Sequence, residues 1–290
     1  MAKSNKRRNR RSSKAKSWVS TANRSDGSPL AGGRSAVGSG KRAGRPKSGP
    51  PLSGPPPRNR FLDSLRGLAI VLMLIDHAAS YWFDQKIGLG GVRFFTRLSM
   101  PLFCVLLGYF LPPDRRFRWT RYAQILAAGV AVNLLYWPRN GELEILVSLL
   151  TAALVGTALG RAAPLMLITM LFYQSDPSAR WFDYQLTLVL ALVAQGVVLR
   201  RFGPIVASVT GGVLLAMTVS GLWIWDTDTH RFLVWFLLPA TGLVAWGTRF
   251  PERRIPGTEW LGRYPLTVYV VHFYVIALTA MLVRGTWVQP

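Results

Sequence analysis

The chain of 290 residues carries 35 lysines and arginines against 13 acids, a formal net charge of +22, and one cysteine, Cys104. A single cysteine excludes an internal disulfide. Three histidines, with no Cys/His cluster and no Glu-x-x-His spacing, leave no metal site to be expected.

The charge lies mostly at one end. Residues 1 to 60 hold 16 lysines and arginines and one acid, Asp26, whereas residues 61 to 290 hold 19 basic and 12 acidic residues. The first stretch is rich in Ser, Gly and Pro and has Trp18 as its lone aromatic ring. It cannot bury enough apolar area to offset ordering, which predicts a disordered basic cytoplasmic tail over 1–60 and a multi-span membrane domain over 61–290. The tail has no apolar run like a signal-peptide core. The tail reads first as a solvated cytoplasmic extension that fixes topology; basic clusters are drawn to anionic lipid and to RNA alike, and nothing in the tail separates the two, with nucleic acid the less expected partner of the chain.

Hydrophobic runs, measured against the roughly 20 residues that cross a bilayer, fall near 62–82, 95–111, 120–137, 143–159, 162–173, 184–199, 203–225, 231–248 and 264–284. The fifth is short, but Gly160-Arg161 and Gln174-Ser175-Asp176-Pro177 on either side are turn chemistry. Loop charge supports keeping it. With the tail inside, the inner loops carry 11 basic residues, among them Arg115, Arg116, Arg118, Arg121, Arg161, Arg200 and Arg201, against Asp114, Glu252 and Glu259. The outer loops carry seven of each sign. Dropping the fifth run would move Arg200 and Arg201 outside and weaken the positive-inside bias. The expected fold is therefore all-α: a polytopic helical bundle of about nine transmembrane helices in the inner (cytoplasmic) membrane, N terminus in and C terminus out. Tyr81, Trp82, Tyr136, Trp137, Trp223 and Trp225 read as interfacial anchors, and Gly211-Gly212 and Gly221 as close helix contacts.

The first run holds the polar groups hardest to explain as anchors. Eleven steps of 100° set His77 about 20° from the azimuth of Arg66 and about 16 Å along the axis, near the middle of a core roughly 30 Å thick. An ionisable group there costs at least about 2.5 kcal/mol and reads as functional. Asp76 lies about 100° from His77. It can orient a histidine on a neighbouring helix or pair with Arg97 at the start of the second run. Asp63 reads as an ion-pair partner for Arg66 or as a helix cap. His272 sits eight residues after Tyr264, about 12 Å into the last run, so two histidines reach similar depth and a shared polar cavity is expected. Pro101 frees a backbone carbonyl and bends the second run. Asn133, Gln124 and Gln195 read as interhelical hydrogen-bonding groups.

Arg66-x10-His77, the run Leu74-Ile-Asp76-His77-Ala78, the segment Arg97-Leu-Ser-Met-Pro101-Leu-Phe103 and the terminal Tyr269-Val-Val-His272 together resemble the integral-membrane acyltransferase superfamily, and within it the TraX family. The resemblance implies acetyl transfer from acetyl-CoA across the bilayer; the type member acts on the N-terminal amine of a pilin subunit, and broader relatives acetylate sugars and surface glycans. The basic tail is not part of that pattern.

The residues suit such a reaction by themselves. Acyl transfer from a thioester needs a base for the acceptor proton, which a neutral imidazole supplies at neutral pH, and cations for the CoA phosphates. The expected site therefore has His77, Asp76 and Arg66 as catalytic residues, with Arg97, Arg115, Arg116, Arg118, Arg121 and His272 binding acetyl-CoA or an amine or hydroxyl of an envelope protein or glycan. A transporter or flippase is the alternative, since mid-bilayer polar groups also line translocation paths.

Overall fold

The structure, a computed structural model, describes residues 59–83, 91–222 and 228–284. The basic tail, Trp223 and Trp225 lie outside the described residues, as do the side chains of Tyr81 and Trp82. Among the described residues the elements are all helical, and the sole β pairing is an isolated bridge between Leu143 and Phe182.

Helix α1 (Arg60–Phe83) starts at Asn59, whose side-chain Oδ1 accepts the Leu62 N–H at 3.0 Å. Asn59 thus takes the capping role weighed for Asp63, and Asp63 pairs with Arg66 instead, Oδ1 to Nη1 at 2.5 Å. Leu62, Leu65, Ala69 and Met73 recur every three or four residues and are buried, the stripe that faces a helical neighbour.

The second run is broken near its start. Helix α2 (Val92–Thr96) and helix α3 (Ser99–Phe110) are separated by Arg97-Leu98. Pro101 has no N–H to give the carbonyl of Arg97, and Arg97 and Leu98 close tight turns onto Phe94 and Phe95. The distortion expected from Pro101 therefore falls one turn ahead of it, at Arg97.

Helix α4 (Trp119–Asn140) is followed by α5 (Ile145–Leu159), a 3-10 helix (Gly160–Ser175) and a short 3-10 turn (Pro177–Arg180). The chain reverses at Gly160, whose φ of 56° favours glycine. A Cβ on Gly156 would lie 3.3 Å from Met166 Cε, whereas ten residues of straight helix span about 15 Å. As a 3-10 helix, with about 2.0 Å per residue, the 16 residues of Gly160–Ser175 reach about 32 Å, where an α-helix of the same length would reach about 24 Å.

Helix α6 (Leu186–Val219) reverses in the same way at Gly203-Pro204, where Gly203 has φ 86° and ψ 178°. Gln195 donates to the carbonyl of Ala207 and accepts from Thr210 Oγ1 at 3.0 Å. A Cβ on Gly211 would sit 3.0 Å from the Gln195 amide, so positions 195 and 211 touch where a straight helix would hold them about 24 Å apart. The polar role expected for Gln195 is thus to staple the two arms. Gly212, also read as a contact, has open space around it, and Gly221 lies beyond the end of the helix.

Helices α7 (Asp228–Trp235), α8 (Leu237–Arg249), α9 (Thr258–Arg263) and α10 (Pro265–Arg284) complete the bundle. Apolar side chains gain little from meeting each other in lipid, so helix association there relies on close backbone approach. Gly108 of α3 and Gly196 of α6 provide it: a Cβ on either would strike the carbonyl of Val193 or Val105 on the facing helix. Gly67 of α1 and Gly262 of α9 do the same against the backbones of Thr258 and Asp63. Large apolar side chains such as Leu134, Ile205 and Leu282 point outward. Among the described residues, five helical stretches are long and apolar enough to cross a membrane: Val92–Phe110, Ile145–Ser175, Leu186–Val219, Thr229–Arg249 and Pro265–Leu282. Two of the five contain the reversals at Gly160 and Gly203, and α1 and α4, of 24 and 22 residues, lie outside this set.

Candidate active site

Helix α1 packs against α2, α3, α8, α9 and α10, which puts its polar residues at the centre of the bundle. His77 meets His272 of α10, Nδ1 to Nε2 at 2.9 Å, with the rings stacked 5.1 Å apart and 18° from parallel. The other nitrogen of His272, Nδ1, lies 3.2 Å from the carbonyl of Val268, one turn back. A carbonyl only accepts, so Nδ1 of His272 carries the hydrogen and its Nε2, in the neutral ring, accepts. Nδ1 of His77 must then donate, which leaves the lone pair of the neutral His77 ring on Nε2.

His77 lines a cavity of about 270 Å³ together with Asp76, Ser80, Arg93, Arg97, Tyr136, Glu144, Asp183, Tyr184 and Tyr269. His272 does not line it; it stands behind His77, buried. Asp76 and His77 do share this wall despite their 100° offset, because the cavity spans a wide arc of α1.

Asp76 is held by three donors: Thr96 Oγ1 at 2.7 Å, Arg97 Nη2 at 3.1 Å and Arg93 Nε at 3.4 Å. Of the two arrangements open from the sequence, the structure brings about the pairing with Arg97. Nη1 of Arg97 donates to Tyr184 at 3.0 Å, while its Nε is buried and has no hydrogen-bond partner among the described residues. That orphaned N–H belongs to a guanidinium on the cavity wall. Behind Tyr184, the ring of His230 lies 5.8 Å away and shares its Nδ1 with the hydroxyl of Tyr173 at 2.8 Å.

The opposite wall is built on Glu144, which caps α5 by accepting the Leu146 N–H at 2.9 Å. Its other oxygen accepts the hydroxyl of Tyr269, and the ring of Tyr269 stands edge-on to His272 at 5.3 Å. Asp183, in the loop ahead of α6, has its carboxyl pushed up to about 6 by burial and by the charge of Glu142, against the pull of Arg97. Tyr136, read from the sequence as an interfacial anchor, lines the cavity instead and donates to Asp183.

A second void of about 210 Å³ runs between Arg66, Arg121, Phe110, Ile125, Leu146 and Leu266. Phe103, Leu149 and Tyr269 line both voids, so three side chains form their common wall. Arg66 is anchored there by Asp63 and lies 4.2 Å over the ring of Phe110. Of the four arginines expected to bind here, Arg121, in the first turn of α4, alone lines this groove. Arg116 pairs with Asp114 at 3.7 Å, Arg115 folds over Gly160, and Arg118 precedes α4. Among the described residues no group of three His, Cys, Asp or Glu side chains could hold a metal ion.

Glu144, Tyr269, Asp183, Tyr184 and Tyr136 were not singled out from the sequence as site residues. A sequence signal exists for Tyr269, which is three residues before His272 and hence on the same helix face.

Residues 59–194 match a family model described as an acyltransferase domain. No curated protein and no solved structure matches the chain. The match supports the acyltransferase superfamily and, with the apolar helices, points to a multi-pass membrane acyltransferase. It spans Arg66, Asp76, His77, Arg97 and Arg121, and ends before His272.

Proposed function

We propose that the protein is a TraX-like acetyltransferase of the inner membrane, moving an acetyl group from cytoplasmic acetyl-CoA to an amine or hydroxyl of an envelope protein or glycan. One observation carries the reading: a histidine with its basic nitrogen fixed by a second histidine lines a buried cavity, and that cavity shares a wall with a groove ending in two arginines.

In this reading Arg66 and Arg121 hold CoA phosphates through charge-assisted hydrogen bonds, and the apolar groove takes the pantetheine arm. The thioester carbonyl arrives beside His77. Nε2 of His77 takes the proton from the acceptor as its oxygen or nitrogen attacks the carbonyl carbon; the C–S bond breaks and the CoA thiolate collects the proton. His272 positions the ring of His77, and Asp76 holds the Arg97 guanidinium in the cavity wall, where its charge orients the acceptor. The nine-helix topology, with N terminus inside and C terminus outside, follows from counting α1, α4 and both arms of each reversing stretch as crossings. It puts the arginine groove on the cytoplasmic side, and the basic tail then faces anionic lipid. The family match does not favour a transporter.

The test is reconstitution of the full chain in proteoliposomes with labelled acetyl-CoA and an envelope extract as acceptor. Label transferred to protein or glycan by the wild type but not by His77→Ala supports the reading. Equal labelling by both overturns it.

A further inference from the structure

Away from the histidine cavity and its groove, a third void of about 260 Å³ is lined by Arg161, Arg200 and Arg201 with Pro112, Pro113 and Gly160. A fourth guanidinium stands at its edge, because Arg115 folds over Gly160: a Cβ there would lie 2.9 Å from Arg115 Cγ and 3.7 Å from its Nε. Among the described residues no acid lines the void. Asp114, beside Arg115 in the chain, pairs with Arg116.

Two of the arginines are held by backbone. Arg200 Nη1 donates to the carbonyls of Leu111, at 2.6 Å, and Tyr109, at 3.3 Å; Arg201 Nη1 donates to the carbonyl of Arg161. Capping the carbonyls at helix ends is the ordinary use of such arginines, and three helices do end here: α3, α5 and the first arm of α6. Their dipoles contribute about half a negative charge each. Four guanidiniums exceed that by more than two charges, and each anchored fork keeps donors that its carbonyls do not use. A preorganised, acid-free cluster of this kind suits a doubly charged, multi-oxygen anion.

We propose that this void is a binding site for a phosphate ester, distinct from the Arg66 and Arg121 groove. The ester comes either from the headgroup of an anionic phospholipid or from a soluble nucleotide; both present the same oxygens.

The experiment uses the full chain in phosphatidylcholine nanodiscs, the same discs with phosphatidylglycerol added, and phosphatidylcholine discs titrated with adenosine 3′,5′-bisphosphate, read by thermal unfolding. Wild type is compared with Arg161→Gln/Arg201→Gln and with single Arg161→Gln, which covers the case of a double variant that does not fold. Binding of one probe about tenfold tighter to wild type than to the double variant, weakening as salt rises, supports the site. A response to phosphatidylglycerol assigns the lipid source, and a response to the bisphosphate assigns the nucleotide. No response in wild type, or equal responses in all three proteins, overturns the proposal. His77→Ala keeps this binding, so loss of acetyl transfer and loss of the phosphate site are separate results.

Discussion

His77 and His272 lie 195 residues apart in the chain and meet through Nδ1 and Nε2 at 2.9 Å, with the carbonyl of Val268 fixing which nitrogen carries the proton. The usual partner of a basic histidine is a carboxylate; here a second imidazole takes that place. His77→Ala should lower acetyl transfer by about 10²- to 10⁴-fold. His272→Gln keeps an acceptor for His77 Nδ1–H, whereas His272→Leu does not. Steady-state kinetics should show kcat about tenfold or more lower in the Leu variant than in the Gln variant, at similar KM for acetyl-CoA. Equal kcat values would remove His272 from the mechanism.

Arg121 lines the groove, is exposed and has no carboxylate partner among the described residues, so its removal leaves no buried charge stranded. Arg121→Ala should raise KM for acetyl-CoA about tenfold, the loss of one charge-assisted bond, with kcat little changed. A fall in kcat at constant KM would mean that Arg121 acts on the chemistry rather than on donor binding.

Asp76 and Arg97 are both buried, with side chains 10% and 8% exposed. Breaking a buried pair from one side leaves an uncompensated charge and costs about 3–5 kcal/mol, whereas an apolar pair of similar volume is often tolerated. Asp76→Leu, which strands the Arg97 charge, should therefore unfold at a markedly lower temperature than wild type, whereas Arg97→Leu leaves Asp76 its bonds to Arg93 and Thr96. Asp76→Leu/Arg97→Leu should recover part of the Asp76→Leu loss. Additive losses in the double variant would show that the two residues do not act as a pair.

Asp183 provides a pH test. Its carboxyl is raised from 3.8 to about 6, first by burial and then by Glu142. The fold thus favours the protonated form, and the stability it contributes is fully present below the unfolded value and lost as pH rises through about 6. Asp183→Asn does not titrate. The difference in Tm between Asp183→Asn and wild type should grow from pH 4 to pH 8, with most of the change between the two values. A difference independent of pH would contradict the raised carboxyl.

Much of the bundle was legible because helix geometry is regular. The 3.6-residue repeat gave the relation of Arg66 to His77 and the matching depth of His272, and Pro101 marked the distortion now seen at Arg97. The run 162–173 looked too short because an α-helical rise was assumed; the 3-10 rise lengthens it. Glu144 and Asp183 stayed hidden for a different reason. A carboxylate between two apolar runs has the same sequence signature whether it faces water or turns inward, and the choice here is made by Tyr269 and Tyr136, which lie on other helices. Tyr136 itself was misread because an interfacial ring and a cavity ring share one position at a helix end.

The ring pair has a consequence for synthesis. One imidazole belongs to the first described helix and the other to the last, so no ribosome-bound intermediate shorter than 272 residues can contain both. The tautomer-fixed pair therefore forms only after nearly every helix has been made.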